Sequence, residues 1–168
     1  HALAGQHNVN VVGGDTTASP GPLVLNLTLI GEMEKQQVCY RSGARPGDLL
    51  YVSGTIGDSL AGLQLSQGEV STNCEEDRSY LLGRHHDPSP RVALGQALAS
   101  SGVVTAMLDL SDGLSSDLRH ICRMSEVSAV VRSGAVPVSD ELVRFCEGNR
   151  EGAAAMGLSG GEDYELLF

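Results

Sequence analysis

The sequence contains no tryptophan, and aromatic residues make up only 4% of it. Its core must therefore be built from Leu, Val, Ile and Ala. Basic residues are also few: 11 Lys and Arg stand against 21 Asp and Glu, for a formal net charge of −10. An acidic chain with no basic run is a poor binder of nucleic acid or of an anionic membrane surface. No apolar run approaches the ~20 residues of a membrane span. The first residues, His1-Ala2-Leu3-Ala4-Gly5, lack the basic segment and apolar stretch of a secretory leader. Four cysteines (Cys39, Cys74, Cys122, Cys146) are scattered with no C-x-x-C spacing. That argues against a disulfide framework or zinc knuckle and makes a reducing cytoplasm the expected compartment. The cysteines read as small buried side chains.

What is present describes a globular chain. The 168 residues suffice for one domain or two small ones, and the 41% hydrophobic and 19% charged fractions suit a packed core. Glycine is abundant at 21 residues, well above the usual ~7% share. The chain needs tight turns or close backbone approach somewhere. It begins with His rather than Met, which reads as a tagged, processed or truncated product.

The pattern along the chain mixes strands and helices without a strict βαβ rhythm, so the expected class is α+β. Residues 1–8 read as the end of a helix. Val9–Val12 and the alternating run LVLNLTLI (23–30) read as strands, separated by a Pro20-Gly21-Pro22 turn. Residues 31–37 are a candidate boundary. Residues 49–53 read as a strand. A helix follows from Gly57, with Asp58 or Ser59 as its cap and Leu60, Leu63 and Gln67 on one face. Residues 75–84 and 91–99 read as helices, with HHDPSP between them. Residues 103–110 read as a buried strand. After Ser111-Asp112-Gly113 a helix begins with Leu114, Leu118 and Ile121 on one face. Residues 128–131 read as a strand, Ser139 caps a helix to about Cys146, residues 151–156 form a short Ala-rich segment, and 164–168 read as a strand.

Three acidic clusters sit beside glycine: Gly13-Gly14-Asp15, Asp109-Leu110-Ser111-Asp112-Gly113 and Gly160-Gly161-Glu162-Asp163. One reading is that each is a turn, since Gly and Asp mark turns. The other is phosphate binding. Glycines let backbone N–H groups approach a ligand closely, and carboxylates beside them become useful if Mg²⁺ bridges them to phosphate oxygens. Asp109 and Asp112 lie three apart at a strand-to-helix corner, where both reach one small volume. Ser111 is placed to cap the helix or to donate to phosphate. No P-loop, G-x-G-x-x-G or G-x-S-x-G sequence accompanies them. His85, His86 and His120 lack metal-ligand spacing. Arg41 and Arg91 read either as phosphate partners or as ordinary ion pairs.

Six motifs occur in order: VVGGDTT, RSGARPGD, GDSLAGL, H-x-x-P-x-PR, DLSDGLSSDLRHI and SGGEDYELLF. Together they closely resemble the bacterial thiamine-monophosphate kinases, of the superfamily that includes aminoimidazole ribonucleotide synthetase. The resemblance runs from residue 9 to residue 168. It implies a mixed α/β sandwich-like, PurM C-terminal-like domain at about 38–168. Residues 1–34 would then be the last strands of an N-terminal ATP-binding and dimerisation domain. The family's chain is about twice as long, so the resemblance implies truncation at both ends. The amino-terminal Gly-Asp-Asp metal motif and the carboxy-terminal aromatic segment are not matched here.

The implied activity is transfer of the γ-phosphoryl of ATP to thiamine monophosphate, giving thiamine diphosphate and ADP by direct in-line transfer with Mg²⁺. The implied roles follow the motifs. Gly14, Asp15, Arg41 and Ser111 would bind ATP. Asp15, Asp109 and Asp112 would hold Mg²⁺, with Asp109 and Asp112 at the catalytic centre. Glu162 would contact thiamine monophosphate, and Asp58, at a helix N-terminus, is a further candidate. The full-length parent is expected to be a cytoplasmic homodimer. The alternatives are another ATP-using enzyme of the superfamily (purine biosynthesis, hydrogenase maturation or selenophosphate synthesis) and a fragment with no activity of its own.

Overall fold

A computed structural model describes residues 2–168. The chain divides into two units, residues 1–35 and 36–168, each described here by itself. The first unit holds one short helix, α1 (Ala2–Gln6). It closes through hydrogen bonds from the backbone N–H groups of His7 and Val9 to the Ala4 carbonyl, at 3.2 and 2.8 Å, with Asn8 in the left-handed region at φ 55. The rest of the unit is irregular. Pro20–Pro22 bend as expected, and the Ser19 hydroxyl donates to the Pro22 carbonyl at 2.9 Å. The expected strands at 9–12 and 23–30 do not form. Leu25, Leu27 and Leu29 are exposed, as is Ile30. A strand exists only where a second strand takes its backbone groups, and no described segment of this unit supplies one.

The second unit has six α-helices and a small sheet among its described residues. The helices are α2 (Asp58–Gln67), α3 (Glu75–His86), α4 (Val92–Ser101), α5 (Leu114–Ser125), α6 (Asp140–Phe145) and α7 (Arg150–Ser159). Strands β1 (Leu108–Asp109) and β2 (Leu166–Leu167) pair antiparallel, with Leu108 opposite Leu167 and Asp109 opposite Leu166. Val52 bridges to the other edge of β2 at Leu167. Reciprocal bonds between Tyr51 and Phe168, at 2.8 and 3.0 Å, extend that pairing, so β2 is the centre of the sheet. This is a helix-rich α+β fold, as expected.

Its core is aliphatic. Ile56, Leu81, Leu110, Leu142 and Leu167 are essentially inaccessible, and α5 contributes Leu114, Leu118 and Ile121 from the face its period marks. The segment 103–110 is strand only at Leu108–Asp109, and 128–131 is exposed coil. In both cases β-forming side chains lack a neighbouring strand in register. The buried face of α2 is Ala61, Gly62 and Leu65, while Leu60 and Leu63 are half-buried and Gln67 is exposed. The reason is close packing on α3. A Cβ at Gly62 would lie 2.2 Å from the Leu81 carbonyl oxygen, so the smallest residues face the neighbour. Ser139 caps α6 as expected, accepting from the Leu142 N–H at 2.9 Å. All four cysteines are half-buried free thiols rather than fully buried ones.

Candidate functional site

The chemistry-bearing residues of the second unit lie where two loops meet. The first, 109–113, leaves β1 and enters α5. The second, 160–165, leaves α7 and enters β2. The Glu162 N–H donates to the Ser111 carbonyl at 2.8 Å, the Tyr164 N–H to the Leu110 carbonyl at 2.9 Å, and the Leu110 N–H to the Glu165 carbonyl at 2.8 Å. Two glycines permit this contact. A Cβ at Gly161 would sit 2.4 Å from the Ser111 carbonyl oxygen, and Gly113 has φ 95 with the Gly160 carbonyl at 2.9 Å from its Cβ position. The turn reading and the ligand reading of these clusters therefore share one geometry: the turns are real, and they dock on each other.

A buried carboxylate secures each loop from behind. Asp117, on α5 and 2% exposed, accepts the Ser111 and Asp112 N–H groups through Oδ2 at 2.9 and 3.0 Å. Asp163, 3% exposed, accepts the Gly57 N–H at 2.7 Å and the Ser59 N–H at 3.1 Å. It thereby caps α2, the role assigned from sequence to Asp58 or Ser59. The N-cap position itself is Gly57, at φ 91, with no side chain to serve. Burial pushes the Asp163 carboxyl up to about 6, against the pull of those two N–H groups. On either side of it, Glu162 and Tyr164 both have positive φ, 64 and 50.

The side chains left facing outward are the ones the motifs single out. Asp109 and Asp112 are exposed and Ser111 is half-buried. Glu162 is exposed, with its Oε2 3.8 Å from Nδ1 of His85. The same His85 nitrogen is 3.0 Å from the Ser59 hydroxyl. Arg41 is exposed on a segment beside β1: its neighbour Tyr40 accepts the Met107 N–H at 2.9 Å, and its own carbonyl accepts the Ser125 hydroxyl at 3.5 Å. Asp58 faces inward instead. It is fully buried and accepts from Ser139 at 2.5 Å, Thr55 at 2.6 Å and Tyr80 at 3.3 Å. Gly14 and Asp15 belong to the first unit, in exposed chain where Asp15 accepts the Thr16 N–H at 2.8 Å.

Among the described residues, no three His, Cys, Asp or Glu side chains form a group that could hold a metal by themselves. Asp109 and Asp112 are exposed carboxylates, the hard oxygen donors that Mg²⁺ takes alongside phosphate and water. A cavity of about 640 Å³ lies away from these carboxylates, lined by Leu50, Tyr51, Leu114, Leu118, Val131 and Val136 among others. Its walls are mainly apolar, with Arg45, Asp48 and Arg132 also lining it.

Sequence reasoning missed Asp117, Glu165 and Arg84, and named Asp163 only as part of an acidic cluster. Glu165 is fully buried and accepts from Arg91 Nε at 2.6 Å and Arg84 Nη2 at 2.9 Å, as well as from Ser53. Arg91 is thus an ion pair with a buried partner, not a free cation. Both Asp117 and Asp163 stood inside the quoted motifs, but nothing local separates a carboxylate that faces water from one that faces backbone N–H groups.

The fold and the paired loops define a domain of the type that closes aminoimidazole ribonucleotide synthetase-like proteins. The family model for AIR synthase related protein, C-terminal domain, matches residues 45–164, and the chain belongs to that family. Its relatives are more particular. It is 44% identical over 167 residues to the thiamine-monophosphate kinase of Salmonella typhimurium (strain LT2), covering 99% of this chain and 50% of the relative. Against the thiamine-monophosphate kinase of Bacillus subtilis (strain 168) it is 39% identical over 165 residues, 98% of this chain and 49% of the relative. The chain thus spans about half the length of the curated relatives it matches. Among solved structures, thiamine-monophosphate kinase from Stenotrophomonas maltophilia K279a superposes with a TM-score of 0.71 at 38% identity, over 81% of this chain and 43% of that one. A structure described as AaThiL complexed with AMPPCP and TMP superposes with a TM-score of 0.70 at 38% identity, over 77% of this chain and 41% of that one.

Proposed function

We propose that this chain carries part of the site of a thiamine-monophosphate kinase, which transfers the γ-phosphoryl of ATP to the phosphate of thiamine monophosphate. The observation that carries this reading is the docking of the 109–113 loop on the 160–165 loop through Glu162 N–H and Ser111 carbonyl. It leaves the carboxylates of Asp109, Asp112 and Glu162 exposed on two loops bonded to each other, in a chain 44% identical to such a kinase. The solved relative holding AMPPCP, an ATP analogue, together with TMP supports both substrates.

In this reading the acceptor is itself a phosphate. Its oxygens are already largely ionised at neutral pH, because the second pKa of a phosphate monoester is ~6. No general base is needed. One of these oxygens forms a bond to the γ-phosphorus in line with the bond that breaks, and ADP departs with the electron pair. The obstacle is repulsion between two polyanions, so the task is charge neutralisation and alignment. Asp109 and Asp112 would hold Mg²⁺, which supplies the neutralising charge. Arg41 would add a fixed cation against ATP phosphate. The Ser111 N–H is taken by Asp117, so its hydroxyl is the donor left for ATP. Gly14 would let the nucleotide approach the backbone, and Glu162 would orient thiamine monophosphate.

The test is incubation of the protein with ATP, Mg²⁺ and thiamine monophosphate, with thiamine diphosphate and ADP followed by chromatography. Formation of both in equal amounts is the expected result. ADP release with another superfamily substrate, but none with thiamine monophosphate, would replace this reading with a relative's.

A further inference from the structure

We propose that Asp117 and Asp163 are a matched pair of positioning residues, each holding one loop of the site from inside the fold: Asp117 the ATP side, Asp163 the thiamine-phosphate side. Assigning a substrate to each side rests on the proposed kinase reading. The bracing itself rests on geometry alone.

Both carboxylates are almost fully buried, at 2% and 3% exposure, and neither is committed to an arginine or lysine by a hydrogen bond. Each accepts two backbone N–H groups instead. A buried carboxylate is retained against its desolvation only where such donors are fixed. Asp117 reaches back from α5 to Ser111 and Asp112 at 2.9 and 3.0 Å, the two residues whose side chains face outward. Asp163 reaches across to Gly57 and Ser59 at 2.7 and 3.1 Å. Its chain neighbours Glu162 and Tyr164 are held at φ 64 and 50, an arrangement that disfavours residues with a Cβ. Strain of this kind persists where the surroundings over-determine the backbone. Here four bonds do so: two into Asp163, and those from the Glu162 and Tyr164 N–H groups into Ser111 and Leu110.

The two anchors differ in one respect that makes them separable. Asp117 receives both N–H groups on a single oxygen, Oδ2. An asparagine can present its one carbonyl oxygen in the same place. Asp163 uses one oxygen for each N–H group, Oδ2 for Gly57 and Oδ1 for Ser59. An asparagine there must turn its amide N–H₂ toward a backbone N–H. Asparagine should therefore rescue position 117 and fail at position 163.

The experiment compares Asp117→Ala, Asp117→Asn, Asp163→Ala and Asp163→Asn with the parent, by amide hydrogen exchange and by steady-state kinetics. Losing charge-assisted bonds should speed local exchange by about tenfold or more. Ser111 and Asp112 amides should lose protection in Asp117→Ala and keep most of it in Asp117→Asn. Gly57 and Ser59 amides should both lose protection in Asp163→Ala, and one of the two should lose it in Asp163→Asn. In kinetics, Asp117→Ala should raise KM for MgATP, and both Asp163 variants should raise KM for thiamine monophosphate, with the other substrate's KM nearly unchanged. Equal rescue by asparagine at both positions, or unchanged exchange at the named amides, overturns the bracing. Parallel rises in both KM values overturn the division of labour. A parent protein with no kinase turnover and no binding of MgATP or thiamine monophosphate overturns the kinase reading, while the exchange measurements still decide the bracing.

Discussion

Arg91 at the start of α4 is hydrogen-bonded to the fully buried Glu165 through Nε and Nη2, with the Nε contact at 2.6 Å. Burial alone would raise the Glu165 carboxyl; the bonds from Arg91, Ser53 and Arg84 outweigh it and hold it below the usual range. This network joins α3, α4 and the residue before β2. Removing one partner of a buried pair leaves an uncompensated charge, at ~3–5 kcal/mol. Glu165→Ala is therefore expected to lose about that much stability in urea denaturation, and Glu165→Gln less, because its amide still accepts one bond. A Glu165→Ala protein as stable as the parent would show that the network contributes nothing net.

Two glycines should respond to the same substitution with opposite signs. Alanine is the better helix former by ~1 kcal/mol, which favours Gly→Ala inside any helix with room for it. Gly83 on α3 is exposed, with nothing within 4 Å of a new Cβ. Gly62 on α2 meets the Leu81 carbonyl oxygen at 2.2 Å, a backbone atom that cannot swing aside. Overpacking costs ~1–3 kcal/mol or more and should prevail there. Thermal unfolding should show a raised Tm for Gly83→Ala and a lowered one for Gly62→Ala. A raised Tm for both would mean that α2 and α3 separate readily.

Much of this architecture was legible in the sequence, and the parts that were not share a cause. The α5 face of Leu114, Leu118 and Ile121 was readable because its period is local and its residues are large. The α6 cap at Ser139 was readable because a cap acts within three residues. The face of α2 was misread because its contact uses Ala61 and Gly62, which carry no apolar signal. Strands 9–12, 23–30 and 128–131 were over-read because pairing depends on a partner remote in sequence. At the candidate site, Asp109, Asp112 and Glu162 stood out by their glycine-rich setting. Asp117 and Glu165 did not, and the cluster that held Asp163 did not show that it is buried, because a carboxylate's burial is decided by donors 5 to 112 residues away.

The Asp163 carboxyl gives a pH dependence with a definite sign. Its folded value, about 6, lies above its ordinary 3.8. Between those values the native state binds more protons than the unfolded chain. Its contribution to stability is thus full below about pH 4, declines as pH rises, and levels off above about pH 6. The charged groups facing it are Asp58, which raises it, and Arg84, which lowers it; His85 stands one hydroxyl away through Ser59. Other carboxyls, Glu165 and Asp77 among them, are lowered and so act in the opposite direction. The measurement is therefore a difference: stability of the parent minus that of Asp163→Asn, from urea denaturation at several pH values. It should fall by about 2–3 kcal/mol from acid to neutral pH. A flat difference would show an ordinary carboxyl.

Asp112 offers the sharpest separation of function from fold. Its side chain is exposed, and its N–H is bound by Asp117, so the backbone does not depend on the Asp112 carboxylate. Asp112→Asn keeps the size and the turn and removes one negative charge. If that carboxylate holds Mg²⁺ against the phosphates, the substitution weakens charge neutralisation when the transferring phosphoryl is most loosely held. Turnover should then fall by several orders of magnitude, with an unchanged Tm and intact exchange protection at Ser111. Raising Mg²⁺ should recover part of the loss if the defect is occupancy, and none if it is alignment. Asp109→Asn, three residues earlier at the end of β1, should behave in the same way. An Asp112→Asn protein with normal turnover at limiting Mg²⁺ would remove this carboxylate from the metal site.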